Sequence, residues 1–290
     1  IVIMLVAVVM SLTGHGINYG IDFAGGLNLQ YDMGSTYDKA DVEEALKAQG
    51  IEEFVVSSVG SEGTAVQIRV PTLSDEDEVQ NLQNGLETTL LEKYPNMDTD
   101  NATASYVGPV AGATLVRNAI FSVLIAAVLM LIYIAFRFDL FSGVAAVAGL
   151  LHDVLIMISF MVILRNVIQM NSSFIAAMLT IVGYSINNTI VIFDRIRENN
   201  KKPALAGQPR SEIVELSVKE SLGRTINTTL TTLVTIVTLY ILGVASIREF
   251  SLPIIIGILA GAYSANLING YVWAALEDAR LARKSQKKAA

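Results

Sequence analysis

The chain has 290 residues, 52% hydrophobic and 16% charged, with no cysteine, a formal net charge of −7 and a mean hydropathy of +0.51. Soluble domains carry about 25% charged residues, so these figures weigh against a soluble single-domain enzyme. They exclude a disulfide framework and a cysteine-ligated metal site, and a pI near 4.9 argues against a nucleic-acid binder.

The acidic residues and the apolar runs lie in different parts of the chain. Ile1 to Leu12 is apolar but shorter than the roughly 20 residues that cross a bilayer. It lacks the basic n-region and small-residue cleavage site of a signal peptide, so 1–13 reads as the outer part of a first span. A glycine-rich junction, 14–26, follows. Residues 27–115 then carry sixteen Asp/Glu against four Lys/Arg, a net of −12. Leu27–Met33 alternates as a strand and Lys39–Gln49 reads as a helix. Phe54–Val59 and Ala65–Val70 read as paired strands joined by a turn at Gly60–Gly63. Ser74 and Asp77 form a capping box that opens a helix to about Lys93, and Ala104–Val107 reads as a last strand. This order predicts a ferredoxin-like α+β sandwich.

Five full-length spans follow, at about 116–136, 140–163, 171–193, 225–245 and 251–274, with a connecting loop at about 194–222 and a basic tail at 275–290. The fold class is therefore a polytopic α-helical membrane protein. It has six transmembrane helices, the first truncated, and the α+β domain sits between helices one and two. Lys and Arg set the orientation. The side holding the acidic domain has seven and the other thirteen. That predicts an extracytoplasmic domain and cytoplasmic termini.

Ionisable groups within spans are expensive, about 2.5–3.5 kcal/mol each on insertion scales, and are functional candidates by default. Asp153 lies in the third span beside His152, Asp194 and Arg195 end the fourth, and Arg224 opens the fifth. Asp153 as an interfacial anchor for Arg137, and Asp194 and Arg195 as plain interfacial ion pairs, are the structural alternatives. Thr228, Thr231, Thr235 and Thr238 form a polar stripe on one helix face, expected to turn toward other helices, with or without a role beyond hydrogen bonding. Asn187 and Asn269 add to this polar face. Gly257 and Gly261 read as close helix packing. The His152 and Asp153 side chains are about 100° apart on a helix, which argues against a catalytic dyad. The two histidines have no metal-like companions. Gly-x-Ser-x-Gly, His-Glu-x-x-His and Gly-x-x-x-x-Gly-Lys-Ser/Thr strings are absent from the sequence. The expectation is a protein that is not an enzyme and uses no cofactor or metal.

Two long strings carry a resemblance: Gly20-Ile21-Asp22-Phe23-Ala24-Gly25-Gly26, and Gly183-Tyr184-Ser185-Ile186-Asn187-Asn188-Thr189 running on to Phe193-Asp194-Arg195-Ile196-Arg197-Glu198-Asn199. With His152-Asp153 and Ser221-Leu222-Gly223-Arg224-Thr225, they resemble the SecF members of the SecD/SecF protein-export family, in the resistance–nodulation–division superfamily. The resemblance covers essentially the whole chain. It implies pairing with SecD and action with the SecYEG channel, with YajC and YidC as further partners. The ligands would be a translocating polypeptide and membrane lipids, and the proton-motive force would drive export. It also implies ion coupling among Asn188, Arg224, Asp153, Asp194 and Arg195. The segment Gly20, Asp22, Gly25, Gly26 serves as a tight junction or a hinge, with Asp22 capping or pairing at the outer ends of neighbouring spans.

One position departs from the family. Its fourth-span string is Asn-Asp-Thr, with the Asp mid-membrane, whereas here it is Asn187-Asn188-Thr189. Asn188 cannot titrate, although its amide can hydrogen-bond Arg224. Three accounts fit: a natural variant leaving titration to SecD, a route through Asp153, or an engineered substitution. The competing functions are a small-molecule exporter of the same superfamily, an intramembrane protease, and a structural translocase subunit with an inactive ion path. A single outer domain of about 90 residues argues against the exporter, because such proteins carry larger outer domains. The missing nucleophile–base pair argues against the protease.

Overall fold

The computed structural model describes residues 1–59, 63–71 and 76–289. Residues 60–62 of the turn expected at Gly60–Gly63, and the capping residue Ser74, lie outside the described residues. The chain divides into two units. One is Tyr19–Ala119 with Gln169–Ser172, and the other is Ile1–Asn18, Ile120–Ile168 and Ser173–Ala290.

The first unit is α+β. Its elements are a short helix α2 (Ile21–Ala24), β1 (Gly26–Asp32), α3 (Lys39–Ala48), β2 (Val55–Val59), β3 (Ala65–Val70), α4 (Glu76–Lys93) and β4 (Asp98–Val107). The strands form one antiparallel sheet in the order β2-β3-β1-β4, with Leu29 opposite Ile68 on one side of β1 and Ala104 on the other. Alternation decides the faces. Leu27, Leu29 and Tyr31 of β1 and Val66, Ile68 and Val70 of β3 are buried. They share one apolar cluster with Val42 and Leu46 of α3 and with Val79, Leu82, Leu86 and Leu90 of α4, whose spacing of three and four keeps them on one helix face. β4 is longer than the sequence indicates. Its first half, Asp98–Thr103, is polar and recruited by edge pairing to β1 across a register shift between Gln30 and Asp32.

The second unit is helical. Five helices are long and apolar enough to cross a membrane, and Val2–Leu12 (α1) is a shorter apolar helix that packs on the second of them, Leu140–Ile163. These are α5 (Pro109–Arg137), α6 (Leu140–Ile163), α7 (Ser172–Asn199), α8 (Arg210–Leu242) and α9 (Ala245–Ser264), which runs through a π-helical turn, Ala265–Asn269, into α10 (Gly270–Ala289). Small residues set the closest approaches. A Cβ on Gly257 would lie 2.5 Å from Ile181 and one on Gly261 would lie 3.0 Å from Ser185, so these glycines seat α9 on α7. The stretch 194–222 is mostly helix rather than loop. α7 and α8 extend past the apolar spans because Ile196, Ile213 and Val214 keep an inward apolar face, leaving 200–209 as the connection, with one 3-10 turn at Pro203–Leu205.

Candidate functional site: a polar core in the helical unit

Asp153 is the centre of the polar core. It is 1% exposed. Ser185 of α7 donates its hydroxyl to Asp153 Oδ2 at 2.6 Å, and Ser264 of α9 donates to the same oxygen at 2.9 Å. His152 Nδ1 lies 3.0 Å from Asp153 Oδ1, and its ring stacks on Tyr263 with centroids 5.8 Å apart. A buried carboxylate is tolerable only when hydrogen-bonded, and here three helices satisfy one. Two expectations change. Arg137 pairs with Asp194 at 3.3 Å, so it does not anchor Asp153. His152 and Asp153 do meet, despite their angular separation, because imidazole Nδ1 sits near the backbone within reach of the next carboxylate.

The core continues toward the π turn. Asn269 donates its amide to Thr189 Oγ1 at 2.8 Å, and Thr189 donates to the Ser185 carbonyl at 3.1 Å. Asn269 reaches this position through a gap at Gly149, where a Cβ would collide with its side chain. The π turn rotates the residues after Ser264 and so aims Asn269 inward. Nothing in the amino-acid pattern announces a π turn, so its geometry was not legible.

Asn188 is 2% exposed, and its Nδ2 has no hydrogen-bond partner among the described residues. The expected bond to Arg224 is not made. Arg224 is exposed on α8. The cause is the phase of α8, which turns Ser217, Ser221, Thr225 and Thr229 inward. Arg224 precedes Thr225 by one residue and is therefore rotated about 100° away. The same phase corrects the threonine stripe. Thr231, Thr235 and Thr238 are exposed, Thr228 is half-buried, and all four hydroxyls bond back to backbone carbonyls of α8. Asn187 is likewise exposed on α7. The inward stripe repeats every four residues and was as visible as the outward one. Ile213 and Val214, one turn earlier, hold its phase.

At the ends of α7 and α8, Arg195 pairs with Glu198 at 2.9 Å and with Glu220 at 3.6 Å. Asn199, fully buried, donates to both Ser217 and Glu220 at 2.9 Å. Asn199 and Glu220, which the sequence did not single out, are what hold the two extensions together.

The junction residues belong to the α+β unit. Gly20 donates its N–H to the Met170 carbonyl at 2.9 Å. Asp22 Oδ2 accepts the backbone N–H of Ser172, a residue of the same unit, at 2.8 Å. Gly25 has φ +77°, and Gly26 has φ +109° with Val70 O only 2.3 Å from where a Cβ would sit. Both positions require glycine. Among the described residues, no group of His, Cys, Asp and Glu side chains is arranged to hold a metal.

The span-length helices and this buried polar core define a multi-pass membrane protein. Residues 87–279 match the family model for the C-terminal part of the protein export membrane proteins SecD/SecF, and residues 11–35 match the SecD/SecF GG motif. The chain is 35% identical over 252 residues to protein translocase subunit SecF of Rickettsia bellii, covering 87% of this chain and 81% of that one. It is 34% identical to protein translocase subunit SecDF of Bacillus subtilis, covering 97% of this chain and 37% of the relative. Among solved structures, it resembles SecDF from Thermus thermophilus, described as a translocon-associated membrane protein, with a TM-score of 0.79 and 35% identity over 96% of this chain and 37% of that one. SecDF in a super-membrane-facing form gives a TM-score of 0.66 at 32% identity, covering 99% of this chain and 38% of that one. The chain thus spans just over a third of the SecDF proteins it matches. It belongs to the SecD/SecF family and is of the SecF type, a bacterial membrane subunit of Sec-dependent protein transport.

Proposed function

We propose that this chain is one half of a two-part export unit, the other half being SecD, and that the pair promotes ion-gradient-driven movement of polypeptides through SecYEG. The carrying observation is the uncovered polar face of α8. Threonines, Asn227 and Arg224 stand on a span-length helix with only 6% of its most apolar stretch buried in this chain. Polar faces at membrane depth belong against protein, and transporters place their ion sites at the interface of two halves. The SecDF relatives, whose single chain is more than twice as long, support a partner half in that position. The short apolar helix α1 beside the five span-length helices supports a count of six. The β2-β3-β1-β4 order supports a ferredoxin-like outer domain. The lysine and arginine distribution supports placing that domain outside the cell and both termini in the cytoplasm. Such a subunit acts without enzymatic chemistry, and contacts with YajC and YidC belong to the same reading.

Asn188 favours a second reading of the ion path. A carboxamide cannot change charge, so titration in this half falls to Asp153 or is left entirely to SecD. The test is export from SecD-containing proteoliposomes under a proton gradient. Asp153→Asn abolishes the stimulation if Asp153 titrates and leaves it intact if SecD alone does. Loss of co-purification with SecD in Thr231→Leu/Thr235→Leu supports the shared interface. Full retention of SecD by that variant would overturn the half-unit assignment.

A further inference from the structure

A small cavity at the ends of the helices is not used by the translocation reading. It has a volume of about 220 Å3 and lies where α5 gives way to α6, beside the last turn of α7 and the start of α10. Its walls include Phe138, Phe193, Trp273, Arg197 and Lys201. Phe138 and Phe193 meet edge to face with centroids 6.1 Å apart, and Trp273 is buried in the same apolar cluster.

The two cations differ from their neighbours. Arg137 is paired with Asp194, Arg195 with Glu198 and Glu220, and Lys202 with Glu220. Arg197 and Lys201 have no ion pair among the described residues. Asp139 also lines the cavity, but both its oxygens are occupied. One accepts the Ser142 N–H at 2.9 Å and the other the Ser142 hydroxyl at 2.7 Å. The C-terminus of α7 adds roughly half a negative charge and the N-terminus of α6 roughly half a positive one, so the two cations outweigh Asp139.

We infer that this cavity binds the phosphate group of an anionic phospholipid. Basic pockets between transmembrane helices at the membrane surface take anionic headgroups, and buried tryptophan with phenylalanine suits that depth. The volume is below the roughly 300–1,000 Å3 of a pocket for a drug-sized ligand, so it admits a headgroup and leaves the acyl chains outside. An apolar track for those chains leads to the cavity. Leu129, Ile132 and Phe136 are exposed along one face of α5, and Phe136, two residues before Phe138, is 89% exposed.

The test uses the full chain purified in mild detergent and delipidated. Unfolding midpoints and native mass spectra are recorded with dioleoylphosphatidylglycerol, dioleoylphosphatidylcholine or inorganic phosphate. Phosphatidylglycerol should stabilise and be retained where phosphatidylcholine is not. Arg197→Gln/Lys201→Gln should weaken phosphatidylglycerol binding on the order of tenfold or more, while Lys219→Gln on exposed α8 leaves it unchanged. The charge-keeping variant Arg197→Lys/Lys201→Arg should retain most of it. Equal stabilisation by both lipids, or wild-type binding in the double glutamine variant, would overturn the site. Full protection by inorganic phosphate alone would overturn the lipid assignment.

Discussion

Helices α5 and α8 are equally bare within this chain, with 6% of each span's most apolar stretch buried, against 44–50% for the other three. Their chemistry differs. α5 presents Ile120, Leu124, Val128 and Leu129, whereas α8 presents threonines, Asn227 and Arg224 among its leucines and valines. Exposure alone does not say what covers a span. An apolar bare face is already matched to lipid, and a polar one marks a missing protein neighbour.

The strongest way to break this comparison is to put a charge on α5. Val128→Asp should lower membrane insertion by about 2.5–3.5 kcal/mol on insertion scales, read as the inserted fraction in a glycosylation-tagged chain. Full insertion would mean that α5 is covered by protein too. Asp153→Ala probes the covered interior. It strips the acceptor from Ser185 and Ser264 and should cost about 1–3 kcal/mol, seen as a lowered unfolding midpoint in detergent. Asn188→Ala should cost less, because the Asn188 Nδ2 is already unbonded. The reverse order would remove Asp153 from the centre of the core.

The α8 prediction is subtler. Thr231→Val/Thr235→Val keeps shape and removes two hydroxyls that bond only to their own helix. The chain alone should be unaffected. With SecD present, the pair should weaken by about 0.6 kcal/mol per lost interhelical bond, measured by two-fold or larger changes in co-purified partner. An equal change in the chain alone would show that the hydroxyls matter locally and not at an interface.

How much of this was legible followed the kind of signal. The α+β unit was nearly complete in the sequence, because Leu27, Leu29 and Tyr31 alternate and Val79 to Leu90 repeat at three and four. The polar half of β4, which exists because β1 offers an edge, and the one-turn helix α2 escaped. The spans were visible from length and hydropathy, and Asp22, Gly25 and Gly26 from turn chemistry. The rotation of α8 was not. It carries two polar stripes about 100° apart, and the wrong one looked richer. The choice between them is made by Ile213, Val214 and Ser217 packing one turn below, a tertiary effect. The π turn that aims Asn269 was equally hidden, because it leaves no compositional trace, although Asn269 itself reads as part of the polar face.

The smallest expected effect lies in the α+β unit and separates a solvated polar contact from the membrane ones. Asp41 of α3 accepts the Tyr94 hydroxyl at 2.6 Å and the Lys93 ammonium at 3.0 Å. Tyr94 first, and then Lys93, hold its carboxyl below the usual carboxylate range. A carboxylate whose folded pKa is lowered contributes stability that is whole above its unfolded pKa, about 3.9, and is lost as pH falls through the lowered value. Tyr94→Phe removes the larger cause. The difference between wild type and Tyr94→Phe should be greatest near neutral pH and shrink below about pH 4, followed by denaturant unfolding of the α+β unit's far-ultraviolet signal across pH. Thr231→Val/Thr235→Val should show no such pH dependence, because none of its lost groups titrates. A pH-independent Tyr94→Phe deficit would mean that the tyrosine acts by packing, and its hydroxyl would no longer serve as the ionic counterpart to the neutral threonines of α8.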